Sequence, residues 1–374
     1  MEKDARIYVA GHRGLVGSAL TRRLQAGGWR NIIHRTHAEL DLQCEDKVNA
    51  LFAAEKPHYV FVAAARVGGI HANNSYPVDF LLSNLRVQNS VIDAAWRHGV
   101  KGLLFLGSSC IYPKLAPQPL KEEYLLSGPL EPTNEAYAIA KIAGIKLCES
   151  FNRQYGTRFV SVMPTNLYGP SDNYDLLNSH VLPALIRKFH LARLAAAGNR
   201  HGIARDEQVF GIIPPDFSCR LNAIAAANGH APVTASEHVT VASPAVVLWG
   251  TGSPRREFLY SDDLADACIL LMCRLEVIFS ATPAAGSSAG LAEGQPHLFN
   301  IGCGVDHTIR EMAELVRSIV GFDGAVHWDA GKPDGTPRKL LDIGKISNFG
   351  WRPNTSLDAG IRLAYRDYLQ RSVG

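Results

Sequence analysis

A turn with three evenly spaced glycines near the start of the chain constrains the fold more than any other feature. Gly11-His12-Arg13-Gly14-Leu15-Val16-Gly17 follows a short apolar run, Ile7–Ala10, and opens a segment, Leu15–Ala26, with apolar residues at helical spacing. A strand that turns sharply into a helix through glycines exposes backbone N–H groups and a positive helix end, which together suit a pyrophosphate. The spacing therefore predicts that residues 11–17 hold a dinucleotide.

The rest of the first half repeats the same rhythm. Asn31–His34, Tyr59–Ala65, Gly102–Gly107 and Phe159–Met163 read as strands. Glu45–Ala54, Val78–Arg97 and Tyr137–Gln154 read as the helices between them. Strand and helix in alternation predict βαβ units and an α/β fold with a doubly wound parallel sheet of the Rossmann type. Beyond it, Val246–Gly250, Ser261–Arg274, His297–Gly302 and Ile309–Val320 predict a smaller C-terminal α/β portion that serves the substrate. The expected boundaries are 1–175 for the nucleotide-binding domain, with some later segments returning to it, and 176–374 for the rest. Two segments break the pattern. Leu191–Pro244 lacks a sustained period, and Ala281–Gln295 is rich in small residues. Both are expected to be mobile surface insertions.

Composition excludes several classes. A net charge of +3 without basic clusters argues against nucleic acid and membrane surfaces as partners. No apolar run is long enough to span a bilayer, and the first residues lack a secretory pattern, so a cytoplasmic protein is expected. Seven scattered cysteines without a CxxC pair predict free thiols and no metal site.

The choice of dinucleotide follows from charge. NAD sites place an acid about 20 residues beyond the glycines. Here His34-Arg35-Thr36-His37 occupies that region, and Arg13 lies within the turn itself. Two guanidinium groups suit a 2′-phosphate, so NADP(H) is expected on Arg13 and Arg35. Chemistry is expected from Tyr137-Ala138-Ile139-Ala140-Lys141, whose spacing puts phenol and ammonium on one helical face. The lysine charge, with the positive nicotinamide of the oxidised complex, should favour a phenolate and lower the tyrosine pKa, poising Tyr137 for proton transfer to or from a substrate oxygen. Ser108, at the end of the strand Gly102–Gly107, can reach the same oxygen.

Longer runs carry a resemblance. Ala63-Ala64-Ala65-Arg66-Val67-Gly68-Gly69-Ile70, Leu106-Gly107-Ser108-Ser109-Cys110-Ile111-Tyr112-Pro113-Lys114 and Pro164-Thr165-Asn166-Leu167-Tyr168-Gly169-Pro170 are similar to the GDP-L-fucose synthases, extended short-chain dehydrogenase/reductases. So are Asn178-Ser179-His180-Val181, Arg256-Glu257-Phe258-Leu259 and the run from Lys332 to Lys339. The resemblance spans the chain apart from the two insertions. It implies a homodimer that epimerises a GDP-4-keto-6-deoxy sugar at C3 and C5 and then reduces C4 with NADPH. Cys110 would be the base and His180 the acid of the epimerisation, with Tyr137, Lys141 and Ser108 serving the ketone oxygen. Leu106, Gly107, Ser108, Ser109, Lys141, Pro164, Thr165, Asn166, Leu167 and His180 would line the cofactor. Arg187, Trp249, Arg256, Asp334 and Lys339 would hold the GDP-sugar.

Two departures and two alternatives stand beside this. His37 takes a position where some relatives carry arginine, and Leu191–Pro244 replaces a much shorter connection. A sugar-nucleotide 4-epimerase or 4,6-dehydratase would share the fold and the Tyr/Lys pair. A non-catalytic NADP-binding sensor would share the glycine turn alone.

Overall fold

The computed structural model describes residues 1–235, 244–280, 297–332 and 334–373. The first stretch runs β1 (Ile7–Ala10), α1 (Leu15–Ala26), β2 (Ile32–Ile33), α2 (Glu45–Glu55), β3 (Tyr59–Val62), α3 (Ile70–Ser75), α4 (Pro77–Arg97), β4 (Gly102–Leu106), α5 (Glu135–Tyr155) and β5 (Phe159–Pro164). Next come β6 (Asn166–Tyr168), α6 (Val181–Ala196), α7 (Arg200–Phe210), α8 (Pro215–Ala227), β7 (Ala245–Trp249) and β8 (Arg255–Tyr260). After them lie α9 (Ser261–Cys273), α10 (Leu275–Ile278), β9 (Leu298–Ile301), β10 (Asp306–Thr308) and α11 (Ile309–Val320). The chain closes with β11 (Ala325–Asp329), β12 (Arg338–Lys339), α12 (Gly344–Asn348) and α13 (Leu357–Val373). It divides into two compact units. The first holds Met1–Leu167, Glu257–Val305 and Leu340–Thr355; the second holds Tyr168–Arg256, Asp306–Lys339 and Ser356–Gly374.

The first unit is built on a six-stranded sheet ordered β2-β1-β3-β4-β5-β9, with every pairing parallel. Its strands are short and almost wholly apolar because both faces are covered. Ile7 and Val9 point into a core closed by Leu20 and Leu24 of α1 and by Leu264, Cys268 and Leu271 of α9. Tyr8 and Ala10 point the other way, onto Phe52 of α2, Val91 and Ile92 of α4, and Ile145 of α5. That alternation along one tetrapeptide is the period-two geometry of a strand. The late elements α9 and β9 join this unit, and β9 forms the sixth strand beside β5, in register from Ser161↔Leu298 to Pro164↔Ile301. Strand order reverses between β1 and β3, which opens a crevice at their carboxyl ends.

In the second unit α6 is the central helix, packed by α7, α8 and α11. The expectation for Leu191–Pro244 is corrected here across its described residues. Far from a loose surface excursion, it completes α6 and forms α7 and α8. Ile203 and Phe210 of α7, and Phe217, Leu221 and Ile224 of α8, are buried. Their spacings of seven and of four and three are helical, but alanine between them hid the period in the sequence. Residues 236–243 and the Ala281–Gln295 segment lie outside the described residues.

An ion pair fastens α7 in place. Arg187 of α6 is 0 % exposed and Asp206 of α7 is 1 % exposed, with Nε 2.8 Å from Oδ1. The Tyr368 hydroxyl of α13 donates to the same carboxylate, and its ring stacks on Phe210 at 4.6 Å. Removing one partner of such a pair strands a charge without water. Asp206→Ala is expected to cost roughly 3–5 kcal/mol, read as an earlier denaturation midpoint. A midpoint unchanged from the parent would show that Arg187 tolerates solitude.

Candidate active site

The three glycines of the turn have different reasons to be glycine. Gly11 has φ +84°, and a Cβ there would lie 2.7 Å from the Ala64 nitrogen just beyond β3. A Cβ on Gly17 would lie 2.1 Å from the Gly11 carbonyl oxygen. Both are demanded by the protein itself. Gly14 is not, because its Cβ would meet only the Gly11 oxygen, at 3.6 Å. That open position stands at the N-cap of α1, whose first turn carries no acid. Protein packing leaves Gly14 unexplained, whereas a phosphate resting on the helix end needs its bare backbone. The residues fit a dinucleotide.

Charge at the far end of the crevice follows the same direction. Arg13 is exposed, and Arg35 pairs with Glu55 while donating to the His34 carbonyl at 2.9 Å. His12 stacks on His34, with ring centroids 4.4 Å apart. The first acid after β2 is Glu39, and its carboxylate accepts from the Thr36 N–H at 2.7 Å and the Thr36 hydroxyl at 2.8 Å. Those bonds hold its pKa below the usual carboxylate range and commit it to a local turn. No acid in this stretch takes the place a ribose 2′-hydroxyl would ask for.

The carboxyl ends of β4 and β5 gather the expected reactive groups. Gly107 N–H donates to the Val162 carbonyl at 2.9 Å, which sets Leu106–Ser109 beside Pro164–Leu167. Ser108 caps a tight 3-10 turn, Ser109–Ile111, its hydroxyl accepting from the Cys110 N–H at 3.4 Å. Tyr137 sits in the first turn of α5 and Lys141 one turn later. Lys141 is 3 % exposed, with Nζ donating to the Leu106 carbonyl at 2.8 Å and lying 5.8 Å from the Tyr137 ring centroid. The Phe80 ring meets Tyr137 edge-on at 6.4 Å. Four of the five residues expected to be catalytic, Ser108, Cys110, Tyr137 and Lys141, therefore stand together in the first unit, and His180 stands in the second.

The expected direction of the tyrosine pKa is corrected. Burial pushes it well above its ordinary value, Cys110 adds to the rise, and a hydrogen bond with Ser108 opposes it only in part. The same burial pulls Lys141 down to about 8, against the attraction of Cys110. Desolvation disfavours both charged forms. The lysine alone does not make a phenolate; the positive nicotinamide of the oxidised complex is a separate contribution.

In the second unit, β8 and β12 pair in parallel, with Arg255 opposite Arg338 and Arg256 opposite Lys339. Neighbours in register share a face, so the four cations split into two pairs. Asp306 bridges one, reaching Arg255 at 2.8 Å and Arg338 at 2.5 Å. Arg256 and Lys339 form the other. Arg256 is steadied by the Arg255 and Thr336 carbonyls at 2.8 and 2.6 Å. Trp249 is 64 % exposed, with Lys332 Nζ 5.4 Å from its ring. Asp334 is occupied in shaping the adjoining turn, accepting from Thr251 N–H at 3.0 Å and its hydroxyl at 2.7 Å. His180 is the N-cap of α6. Its side chain is exposed there.

Arg187 does not fit its expected place. Besides Asp206, its guanidinium donates to the Tyr174, Phe210 and Gly211 carbonyls. It is spent inside the unit and presents no donor to a diphosphate. Sequence reasoning also missed the Arg255–Asp306–Arg338 group. Its partners are separated by 51 and 32 residues, and no local spacing announces them.

A parallel doubly wound sheet, a glycine turn at its switch point and a Tyr–Lys pair beside a strand-end serine define a dinucleotide-dependent enzyme of the extended short-chain dehydrogenase/reductase class. The chain belongs to the NAD dependent epimerase/dehydratase family, whose profile matches residues 7–211 and 214–281. Among its relatives, GDP-L-fucose synthase 1 of Arabidopsis thaliana is 49 % identical over 99 % of this chain and 94 % of that protein. The GDP-L-fucose synthase of Escherichia coli is 46 % identical over 98 % of this chain and 97 % of that one. In structure, the chain is similar to MlghC, a GDP-mannoheptose C4 reductase from Campylobacter jejuni with NADP bound. The TM-score is 0.78 at 37 % identity, covering 99 % of each chain.

Proposed function

We propose that the protein is a GDP-L-fucose synthase, converting GDP-4-keto-6-deoxy-D-mannose to GDP-L-fucose by epimerisation at C3 and C5 and then NADPH-dependent reduction at C4. One observation carries the reading. Cys110 stands close enough to Tyr137 and Lys141 for its charge to act on both. Reduction of a ketone needs the phenol alone; a thiol beside it suits removal of a proton from carbon.

Tyr137 and Ser108 hold the C4 oxygen, so that a proton leaving C3 or C5 sends its charge onto an oxygen already bonded. Cys110 takes the proton as thiolate, and His180 returns one from the opposite face. NADPH, bound along Gly11–Gly17 and Arg13, supplies the hydride. Tyr137 then protonates the C4 oxygen, and Lys141, fixed by the Leu106 carbonyl, places positive charge near it. Leu106–Ser109 and Pro164–Leu167 are assigned to the cofactor. Arg256 and Lys339 are assigned to the diphosphate and Trp249 to the guanine, with Asp334 holding the turn that carries Trp249.

The finer partners follow. A homodimer is supported by the family resemblance and by exposed apolar residues on α4 and α5, namely Val78, Leu82 and Ile139. A cytoplasmic location is supported by seven free cysteines. Among the described residues, no helix is long and apolar enough to cross a membrane.

The test is incubation of the protein with NADPH and GDP-4-keto-6-deoxy-mannose, with the product sugar identified by NMR. GDP-fucose of the L-series supports the proposal. A 6-deoxy sugar reduced at C4 with C3 and C5 unchanged would make the protein a C4 reductase, as its likeness to MlghC would then suggest. Arg13→Ala is expected to raise the Kd for NADPH about tenfold or more, the size of one charge-assisted phosphate contact, and to leave NADH nearly unchanged. Equal losses for the two cofactors would remove Arg13 from 2′-phosphate recognition.

A further inference from the structure

Glu257 is a carboxylate in the wrong place for a surface residue. It is 0 % exposed, and among the described residues no cation forms an ion pair with it. It is held instead by backbone. Oε1 accepts from the Gly304 N–H at 2.6 Å and Oε2 from the Leu341 N–H at 3.1 Å. Burial raises the Glu257 pKa above the ordinary carboxylate value, and the Gly304 and Leu341 N–H groups, with Thr165 and Cys303 nearby, oppose that rise. A Cβ on Gly302 would come within 2.3 Å of Oε1, so the loop after β9 is wrapped directly onto the acid. The carbonyl of Glu257 works in the same direction, accepting from the Asn166 amide at 2.9 Å and the Thr165 hydroxyl at 3.2 Å.

These partners share a topological property. The chain leaves or enters the first unit after Leu167, at Glu257, after Val305, at Leu340 and after Thr355. Asn166, Glu257 itself, Gly304 and Leu341 each lie next to one of those points. One residue, through its side chain and its carbonyl, thus ties four of the five crossing points together. Thr165 and Asn166 are the residues that continue β5, one strand from Ser108, and Thr165 N–H also bonds the Ile301 carbonyl at 3.0 Å.

We propose that Glu257 is a positioning residue for hydride transfer, its buried carboxylate and carbonyl locking Thr165–Asn166 at the end of β5 in the register that reaction at C4 requires. This rests on the function proposed above, in which Thr165 and Asn166 line the cofactor. The carboxylate form matters because every group around it donates. A glutamine of the same size would turn an NH2 toward N–H groups, and either the 303–304 loop or Leu341 would have to move. Displacements on the scale of an ångström near reacting atoms cost rate far more than affinity.

The experiment measures Glu257→Gln beside the parent enzyme. Its readouts are turnover of the GDP-keto sugar, KM for that sugar, NADPH Kd by fluorescence, and the isotope effect with NADPH deuterated at the transferred position. The expected result is a kcat lower by about 10- to 100-fold, with KM and Kd within about threefold and a changed isotope effect. Asn166→Ala, which removes the amide bond to the Glu257 carbonyl, is expected to lower kcat in the same direction. A folded Glu257→Gln enzyme with parental kcat and isotope effect overturns the proposal, as does a loss confined to thermal stability. Should Glu257→Gln not fold, Thr165→Val removes the hydroxyl that donates to the Glu257 carbonyl, and parental kcat and isotope effect there overturn it equally. A parent enzyme that fails to reduce the keto sugar overturns the proposed function and this inference together.

Discussion

Tyr137→Phe is expected to lower turnover of the GDP-keto sugar by about 100- to 10,000-fold, the usual contribution of a positioned general acid. The variant keeps the ring against Phe80 and so should fold and bind NADPH as the parent does. What it loses is the proton. Burial leaves the phenol protonated across the working pH range, which suits donation to a developing alkoxide. Lys141 titrates at about 8, below its ordinary range, because it too is buried. Its charge is therefore present below pH 8 and lost above it, so kcat/KM in the parent should fall as pH rises past that point. NADPH consumption followed at 340 nm (the absorbance of the reduced nicotinamide) checks both. Unchanged turnover in Tyr137→Phe would take the residue out of the mechanism.

Cys110→Ser should separate the two halves of the reaction. A serine fills the same buried turn and can still receive the bond pattern set by Ser108, but its hydroxyl is a far poorer base than a thiolate near neutral pH. Exchange of sugar-ring protons with solvent deuterium is expected to slow by about 100- to 10,000-fold, while NADPH affinity stays within about twofold. Mass spectrometry of the recovered sugar reads the exchange directly. Exchange at the parental rate would assign the base to another residue. The two variants together are diagnostic, since loss of Tyr137 harms both halves, whereas loss of Cys110 harms epimerisation first.

Much of the first unit was legible because its information is local. Ile7–Ala10, the glycine turn and Leu15–Ala26 are contiguous, and their order alone implies a βαβ start at the sheet's switch point. Tyr137 and Lys141 lie one helical turn apart, so their common face follows from spacing. Helix boundaries at α5 and α11 fall within two residues of those read from the sequence.

The errors came where partners are distant. Arg187 looks like a phosphate ligand on a helix face until α7 folds over it and Asp206 takes its charge. Leu191–Pro244 looked shapeless because alanine-rich helices declare their buried face only once something packs against it. The lysine's effect on the phenol was overread because spacing shows a nearby lysine and cannot show that Lys141 itself is buried.

The sequence by itself determined the parallel-sheet class, the phosphate turn, the reactive tyrosine, lysine and serine, and the family. Only the tertiary structure decided that β9 closes the sheet, that Asp306 bridges two of four cations, that Arg187 is structural, and that Glu257 is buried among backbone donors. The reason is physical. Turns and helical faces are set by neighbours a few residues apart, whereas desolvation and charge pairing depend on which distant segments exclude water from one another.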